Sequence, residues 1–145
     1  MRLAIAQINT TVGDLEGNYT LILEAVRRAS DLGADTVLFP ELATCGYPPQ
    51  DLVTRPDFVS SVEKMNQRIA EDLESGPALI LGSLRKAPEG SSRDVYNSAL
   101  ILDQGRLQGF HDKILLPTYD VFDEARTFEP GGVASVHSIR GKKVG

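Results

Sequence analysis

Apolar and polar residues in the amino-terminal segment predict a strand, a helix and a second strand. Residues 3–8 are apolar on both alternating faces, which is typical of a strand buried on two sides. The next apolar residues recur every three or four positions, as in an amphipathic helix. Residues 36–39 form another short apolar run, which Pro40 ends. We therefore predict a right-handed βαβ unit.

Capping residues suggest the limits of two helices. Asn18 is the expected N-cap of the first and Gly33 its stop. Asp57 is the expected cap of the second, which we expect to end at residues 76–77. The predicted core stripe of the first helix is Leu21, Ile22, Ala25, Val26, Ala29 and Leu32, and that of the second is Phe58, Val62, Met65, Ile69 and Leu73. Met65 is thus interpreted as core filling.

Hairpins dominate the second half of the chain. Residues 78–83 predict a strand, and residues 95–102 and 106–112 predict two more around a turn at 103–105. A further hairpin is predicted from residues 133–139 and 143–144. Because that last hairpin looks unfinished, we expect the chain to be the front part of a larger α/β domain.

Composition excludes several classes of protein. The chain has 145 residues, enough for one domain, with 41% hydrophobic and 24% charged residues. A net charge of −5 argues against non-specific nucleic-acid binding. No apolar run approaches the ~20 residues of a membrane helix. No secretory signal is visible, and a single cysteine excludes an internal disulfide, so we expect the cytoplasm. The two histidines lack clustered cysteines, so no metal site is predicted.

Glu41 is the first candidate for chemistry. It lies just past a predicted parallel strand, at the sheet edge where α/β folds place their sites. A carboxylate there suits a general base. Cys45, four residues later, raises the possibility of a nucleophile in the same loop. The alternative for Glu41 is a structural carboxylate that caps the next turn or pairs with an arginine.

Lys113 is the second candidate, at the end of the strand predicted for residues 106–112. A lysine at a buried strand end is costly unless its ammonium has a carboxylate partner or a chemical role. A surface lysine on an edge strand is the alternative.

Residues 117–131 form the third candidate, a long predicted loop rich in aromatic and acidic residues. Long loops of this kind are often binding loops. Tyr119, Phe122 and Phe128 are candidate pocket walls, and Glu124 is a candidate partner for an ammonium group. An ordinary packed loop with solvated acids is the alternative.

These signals together resemble the nitrilase superfamily of carbon–nitrogen hydrolases. The matching motifs are Phe39-Pro40-Glu41-Leu42, Gly46-Tyr47, Tyr96-Asn97-Ser98-Ala99 and Lys113-Ile114-x-Leu116-Pro117. Two longer motifs, Gly46-Tyr47-Pro48-Pro49-x-Asp51-Leu52 and Leu116-Pro117-x-Tyr119-x-Val121-Phe122-Asp123-Glu124-x-Arg126-x-Phe128, are similar to the amino-terminal glutaminase domains of glutamine-dependent NAD synthetases. The resemblance covers residues 1–145 and implies the amino-terminal part of a nitrilase-type α-β-β-α sandwich.

The resemblance also implies roles for individual residues. In that family a Glu-Lys-Cys triad hydrolyses an amide through a thioester. Glu41 matches the general base and Lys113 the cation that stabilises the oxyanion. Tyr119 matches a residue lining the glutamine site, Glu124 a second acid near the lysine, and Phe122 a pocket wall. The family's cysteine follows Gly145, so Cys45 is expected to be structural and the 145 residues inactive by themselves.

A whole protein of this kind would hydrolyse L-glutamine and pass ammonia to a downstream synthetase domain. That domain would amidate deamido-NAD with ATP and magnesium, whereas the glutaminase part needs no cofactor. A homo-oligomer is implied, with no nucleic-acid or membrane partner. Two alternatives remain open: a stand-alone amidase of the same superfamily acting on small amides, and a non-catalytic assembly module.

Overall fold

The computed structural model describes residues 1–120 and 122–145; Val121, one position of the motif in residues 116–128, lies outside them. The helices are α1 (Leu15–Asp31), α2 (Pro56–Asp72) and the short α3 (Glu124–Thr127), with a 3-10 turn at Gln50–Thr54. The strands are β1 (Leu3–Ile5), β2 (Thr36–Leu38), β3 (Ala78–Lys86), β4 (Val95–Asp103), β5 (Arg106–Asp112), β6 (His137–Ile139) and β7 (Lys142–Val144).

Five of these strands form one mixed sheet in the order β1-β2-β3-β4-β5. β1, β2 and β3 are parallel, whereas β4 and β5 continue the sheet as antiparallel strands. The predicted α/β class and the β4–β5 hairpin are confirmed. Gln104 and Gly105 form its two-residue turn with φ of 53° and 75°, which matches the twist of the strands they join.

The main core contains residues of both long helices and of strands β2, β3 and β4. Its larger buried members are Ile22, Val26, Val37, Phe39, Met65, Ile69, Leu79, Leu81, Leu100 and Leu102. The interpretation of Met65 as core filling is confirmed. In the part of the chain that the structure describes, no helix is both long and apolar enough to cross a membrane.

The prediction that the first strand is buried on two sides is wrong. Leu3 and Ile5 are 44% and 72% exposed, whereas Ala4, Ala6 and Ile8 pack against the core. Among the described residues, the core covers only the face of β1 that carries Ala4, so Leu3 and Ile5 on the opposite face are exposed. The apolar run in residues 3–8 cannot distinguish the two cases, because both faces carry apolar residues.

The predicted N-cap of the first helix is also wrong. Asp14 caps α1, and its Oδ1 accepts a hydrogen bond from the Gly17 N–H at 2.9 Å. Asn18 lies one turn inside the helix and is buried. Its side-chain amide forms hydrogen bonds with the backbone of Thr11 and Thr44, in two loops, instead of capping the helix. Gly33, with φ of +70°, follows the C-cap Leu32 as predicted, but Leu32 itself is 73% exposed and outside the core.

The second helix starts two residues earlier than predicted. Arg55 is the N-cap and Pro56 the first helical residue, whose missing N–H costs nothing there. Asp57 lies in the first turn and pairs with Arg55 at 2.8 Å. The helix ends at Asp72, several residues before Gly76.

The last hairpin is shorter than predicted. Its strands are β6 and β7, joined by Arg140 and Gly141 at φ of 48° and 74°, while residues 133–136 are not in a strand. Ile139 packs on Ala78 and Ile101, so the hairpin belongs to a small separate apolar cluster.

The long loop predicted for residues 117–131 contains a short helix, α3.

Candidate active site

Three charged side chains that are distant in sequence meet at one edge of the sheet. The Lys113 ammonium lies 2.7 Å from Glu41 Oε1 and 3.0 Å from Glu124 Oε2. It also donates to Glu124 Oε1 at 3.1 Å. The structure thus brings together three of the five residues to which the family resemblance assigns a role in the site, and it pairs Glu41 with a lysine rather than an arginine.

Glu41 reaches this position because β2 ends sharply and β3 allows a close approach. Pro40 and Glu41 follow the strand and cross directly over Gly82 of β3. A Cβ atom at Gly82 would lie 2.2 Å from the Pro40 carbonyl oxygen and 2.6 Å from the Leu42 nitrogen. Only glycine fits there. Sequence analysis missed Gly82; a glycine inside a strand pattern is the signal that indicates such an approach.

Glu41 accepts its hydrogen bonds on one oxygen. The Asn97 amide donates to Oε1 at 2.5 Å and Lys113 donates to the same atom at 2.7 Å. Oε2 accepts no hydrogen bond from the described residues, and the side chain is 42% exposed. The carboxylate is therefore fixed in orientation while one oxygen stays accessible. In the sequence, Asn97 stands out only as part of a family motif. Its burial on β4 indicates that its side chain has a specific hydrogen-bond partner.

Lys113 is held at its backbone as well as at its ammonium. Its N–H donates to the Asn97 carbonyl at 2.8 Å, and its own carbonyl accepts from Gly131 N–H at 2.9 Å. Burial by itself would lower the pKa of Lys113, but the hydrogen bonds and charges of Glu41 and Glu124 raise it above its ordinary value. The ammonium therefore stays protonated at neutral pH.

Glu124 is the buried member of the cluster, with its side chain 4% exposed. Its Oε1 accepts from the Tyr47 hydroxyl at 3.0 Å as well as from Lys113. Burial, followed by the hydrogen bond to Glu124, raises the pKa of Tyr47, which keeps its proton. A buried carboxylate needs such partners, so Glu124 and Lys113 stabilise each other in place.

Two cavities flank the cluster. One, of about 650 Å³, is lined by Glu41, Asn97 and Lys113 together with apolar side chains. The other, of about 310 Å³, is lined by Glu124, aromatic residues and Arg126. Since Lys113 and Glu124 are in contact, the charged cluster lies between the two spaces. Within residues 1–120 and 122–145, no three His, Cys, Asp or Glu side chains are arranged to hold a metal ion.

Two of the three aromatic candidates, Phe122 and Tyr119, lie at different depths. Phe122 lines the smaller cavity, and its ring centre is 6.4 Å from that of Tyr47. Tyr119 packs edge-on against Phe122 at 5.9 Å but is 69% exposed, and it lines neither cavity. Phe122 thus belongs to the site's wall, while Tyr119 reaches it only through Phe122.

Cys45 lies in the hydrophobic core and not in the cluster. It is fully buried among Leu42, Val53, Val59 and Phe128, and its Sγ lies 3.8 Å from the Gly46 carbonyl oxygen. Burial raises the pKa of the Cys45 thiol to about 12. A protonated, inaccessible thiol is a poor nucleophile, and this is the only cysteine in the sequence.

Comparison with known proteins assigns the sequence of this chain to one family. The family model described as carbon-nitrogen hydrolase matches residues 2–145. A glutamine-dependent NAD(+) synthetase from Thermotoga maritima is 40% identical over 146 residues, which cover 100% of this chain and 24% of that protein. The chain spans about a quarter of the length of the curated relatives it matches.

Solved structures agree on the fold. A glutamine-dependent NAD+ synthetase from Acinetobacter baumannii, in complex with ADP, superposes with a TM-score of 0.83 at 31% identity, covering 97% of this chain and 26% of that one. An amidase from Nesterenkonia sp. superposes with a TM-score of 0.80 at 30% identity, covering 99% of this chain and 53% of that one. A variant of that amidase carries the product of Michael addition of acrylamide at its active-site cysteine.

Proposed function

Because the chain belongs to the carbon–nitrogen hydrolase family, we propose that it is the amino-terminal part of a glutaminase domain. The domain hydrolyses the side-chain amide of L-glutamine through a cysteine thioester. A downstream synthetase domain then uses the ammonia to amidate deamido-NAD with ATP and magnesium. The observation that carries the proposal is the contact of Glu41 with Lys113 at the mouth of a cavity. Similarity to glutamine-dependent NAD(+) synthetases supports the choice of substrate.

Glu41 acts as the general base. Its Oε1 already accepts hydrogen bonds from Asn97 and Lys113. Oε2 is therefore the oxygen that takes the proton from the thiol of the nucleophilic cysteine. Attack of the sulfur on the amide carbon then forms a tetrahedral intermediate. Collapse of that intermediate breaks the carbon–nitrogen bond, and Glu41 returns the proton to the leaving ammonia. Water hydrolyses the resulting thioester to glutamate by the same route.

Lys113 stabilises the oxyanion of both tetrahedral intermediates. A fixed ammonium stabilises developing negative charge best where water is excluded and the charge does not have to reorient. Glu124 and the Asn97 carbonyl fix Lys113 at its two ends, which keeps its ammonium in one place. Glu124 is therefore a positioning acid for Lys113 and part of the substrate-binding wall, together with Phe122 and, further out, Tyr119.

The nucleophile comes from residues that follow Gly145 in the whole protein. The burial of Cys45 and the raised pKa of its thiol support this assignment, because both make Cys45 a poor nucleophile. The residues described here supply the base and the cation but no reactive thiol, so the 145-residue chain alone does not turn over glutamine. The whole protein acts in the cytoplasm as a homo-oligomer, and its glutaminase half needs no cofactor.

The experiment that tests this function uses the full-length protein. Ammonia release is measured from L-glutamine and from small aliphatic amides, and an electrophilic glutamine analogue is used to label the nucleophile. We expect turnover of glutamine and labelling of a cysteine outside this chain, lost in Glu41→Gln and Lys113→Ala. Labelling at Cys45, or labelling that survives both substitutions, contradicts the proposed roles.

A stand-alone amidase is the second candidate, favoured by the similarity to the Nesterenkonia amidase. Preference for small amides over glutamine, in a protein without an ATP-binding domain, supports this alternative. Absence of both hydrolysis and labelling supports a non-catalytic assembly module.

A further inference from the structure

A buried polar network lies beneath the turn that carries Glu41. Its centre is Asn66 of α2, whose Oδ1 accepts from the Thr44 hydroxyl at 3.0 Å and from the Ser83 hydroxyl at 2.8 Å. The Asn66 amide nitrogen donates to the Leu84 carbonyl at 3.3 Å. These polar side chains are at most 7% exposed. The network therefore joins α2 to β3 and to the loop that follows β2.

Thr44 is held at three separate atoms. Its hydroxyl bonds to Asn66, its carbonyl accepts from the Asn18 amide at 3.2 Å, and its N–H donates to the Gly82 carbonyl at 3.3 Å. Those partners belong to α2, α1 and β3. One loop residue is thus connected to both long helices and to the sheet, three positions after the proposed base.

The turn needs such anchoring because Leu42 has an unfavourable backbone conformation. Leu42 is fully buried and has φ of +49°, a region that residues with a Cβ rarely occupy. Conformations of this kind persist only where the surroundings over-determine them. The close approach of the turn to Gly82 and the hydrogen bonds of Thr44 both restrict it.

We propose that Thr44, through Asn66, is a positioning residue for Glu41. The network keeps the strained Leu42 turn in place and so keeps Glu41 Oε1 against Asn97 and Lys113, with Oε2 facing the cavity. The inference rests on the proposed role of Glu41 as the base. A network that only stabilised the fold would change the folded fraction but not the turnover of each folded molecule.

The test compares matched threonine substitutions in the full-length protein. Thr44→Val removes the anchoring hydroxyl at constant shape, and Thr44→Ser keeps it. Thr36→Val is the control, because Thr36 is a fully buried threonine whose hydroxyl has no hydrogen-bond partner among the described residues. Misplacing a catalytic group by about 1 Å can cost about 100-fold. We expect Thr44→Val to lower kcat about 10- to 100-fold with KM nearly unchanged, and Thr44→Ser and Thr36→Val to stay near the wild type.

Crystal structures of the same variants provide a readout that does not depend on activity. In Thr44→Val we expect the contact between Glu41 Oε1 and Lys113 Nζ, 2.7 Å here, to lengthen beyond hydrogen-bond distance, and Leu42 to adopt a negative φ. An unmoved Glu41, or an unchanged kcat, overturns the positioning role. If the wild type fails to hydrolyse glutamine, the proposed function is contradicted. The crystal structures of the variants still test whether Thr44 positions Glu41.

A second variant covers the case in which Thr44→Val does not fold. Ser83→Ala breaks the same network one bond further from the turn. We expect it to shift Glu41 in the same direction and to lower kcat by a smaller factor. An unmoved Glu41 together with unchanged kcat in Ser83→Ala overturns the inference equally.

Discussion

Lys113 Nζ lies 2.7 Å from Glu41 Oε1 although the two residues are 72 positions apart. Glu41 follows β2 and Lys113 follows β5, strands that are not neighbours in the sheet. The contact forms because Asn97, on the intervening β4, binds the Glu41 side chain and the Lys113 backbone at once. Glu41, the proposed base, and Lys113, the proposed cation, are thus both bound by one buried asparagine.

Replacing the base is the most direct test of the site. We expect Glu41→Gln to lower kcat for glutamine hydrolysis by about 10²- to 10⁴-fold, because an amide cannot accept the thiol proton. Ammonia release by the full-length protein measures this effect. Glu63→Gln, an exposed substitution on α2, is the control and should leave kcat unchanged. Near-normal turnover in Glu41→Gln excludes Glu41 as the base.

Lys113→Met should lower kcat by about 10²- to 10³-fold, the usual effect of losing one oxyanion donor. The variant should also unfold more easily, since Glu124 keeps a buried carboxylate without its cation. Steady-state kinetics and chemical denaturation measure the two effects separately. Lys64→Met, at an exposed position of α2, is the matched control. Full activity in Lys113→Met contradicts the role of Lys113.

The protonation of Lys113 predicts a pH dependence. Burial opposes the charge, but the hydrogen bonds and charges of Glu41 and Glu124 raise the pKa of Lys113. Its ion pairs therefore contribute stability below the unfolded-state pKa of about 10.4, and this is lost as the pH rises through the higher folded value. NMR of 13C-methylated lysines should show Lys113 with a pKa above the ordinary lysine value. A pKa of Lys113 below that value contradicts the prediction.

Gly82→Ala tests the close approach that places Glu41. The new methyl group would meet the Pro40 carbonyl oxygen at 2.2 Å, so Pro40 and Glu41 must move. We expect a loss of about 1–3 kcal/mol in the free energy of unfolding, as for other overpacked sites, and a fall in kcat. The control is Gly132→Ala, since a Cβ there meets no atom within 4 Å. Equal effects of both substitutions contradict the argument.

Cys45→Ala should preserve glutamine hydrolysis. With a pKa of about 12, only about one Cys45 thiol in 10⁴ would be ionised at pH 8, and the side chain is fully buried. We expect unchanged kcat and a modest loss of stability from the small cavity. Mass spectrometry after brief iodoacetamide treatment should find Cys45 unmodified in the folded protein. Loss of activity without unfolding contradicts its structural assignment.

The sequence correctly predicts the elements that depend only on residues close together in the chain. The βαβ order, the hairpin turn at Gln104 and Gly105, the stop at Gly33 and the burial of Met65 follow from periodicity and turn chemistry. The start of the first helix was misplaced because Asp14 competes with Asn18 for the same capping role. Asn18 instead binds Thr11, just before the helix, and Thr44, 26 positions away, and this second contact cannot be read from the local sequence.

The sequence by itself determined which residues could carry chemistry: a carboxylate after one strand, a lysine after another, and motifs shared with one family. Only the tertiary structure decided that Glu41, Lys113 and Glu124 touch, that Asn97 and Gly82 hold Glu41, and that Cys45 is enclosed in the core. The reason is physical. Periodicity reports how each segment buries its own apolar face, whereas contacts across the sheet depend on strand order and register, which are set by the packing of the whole chain.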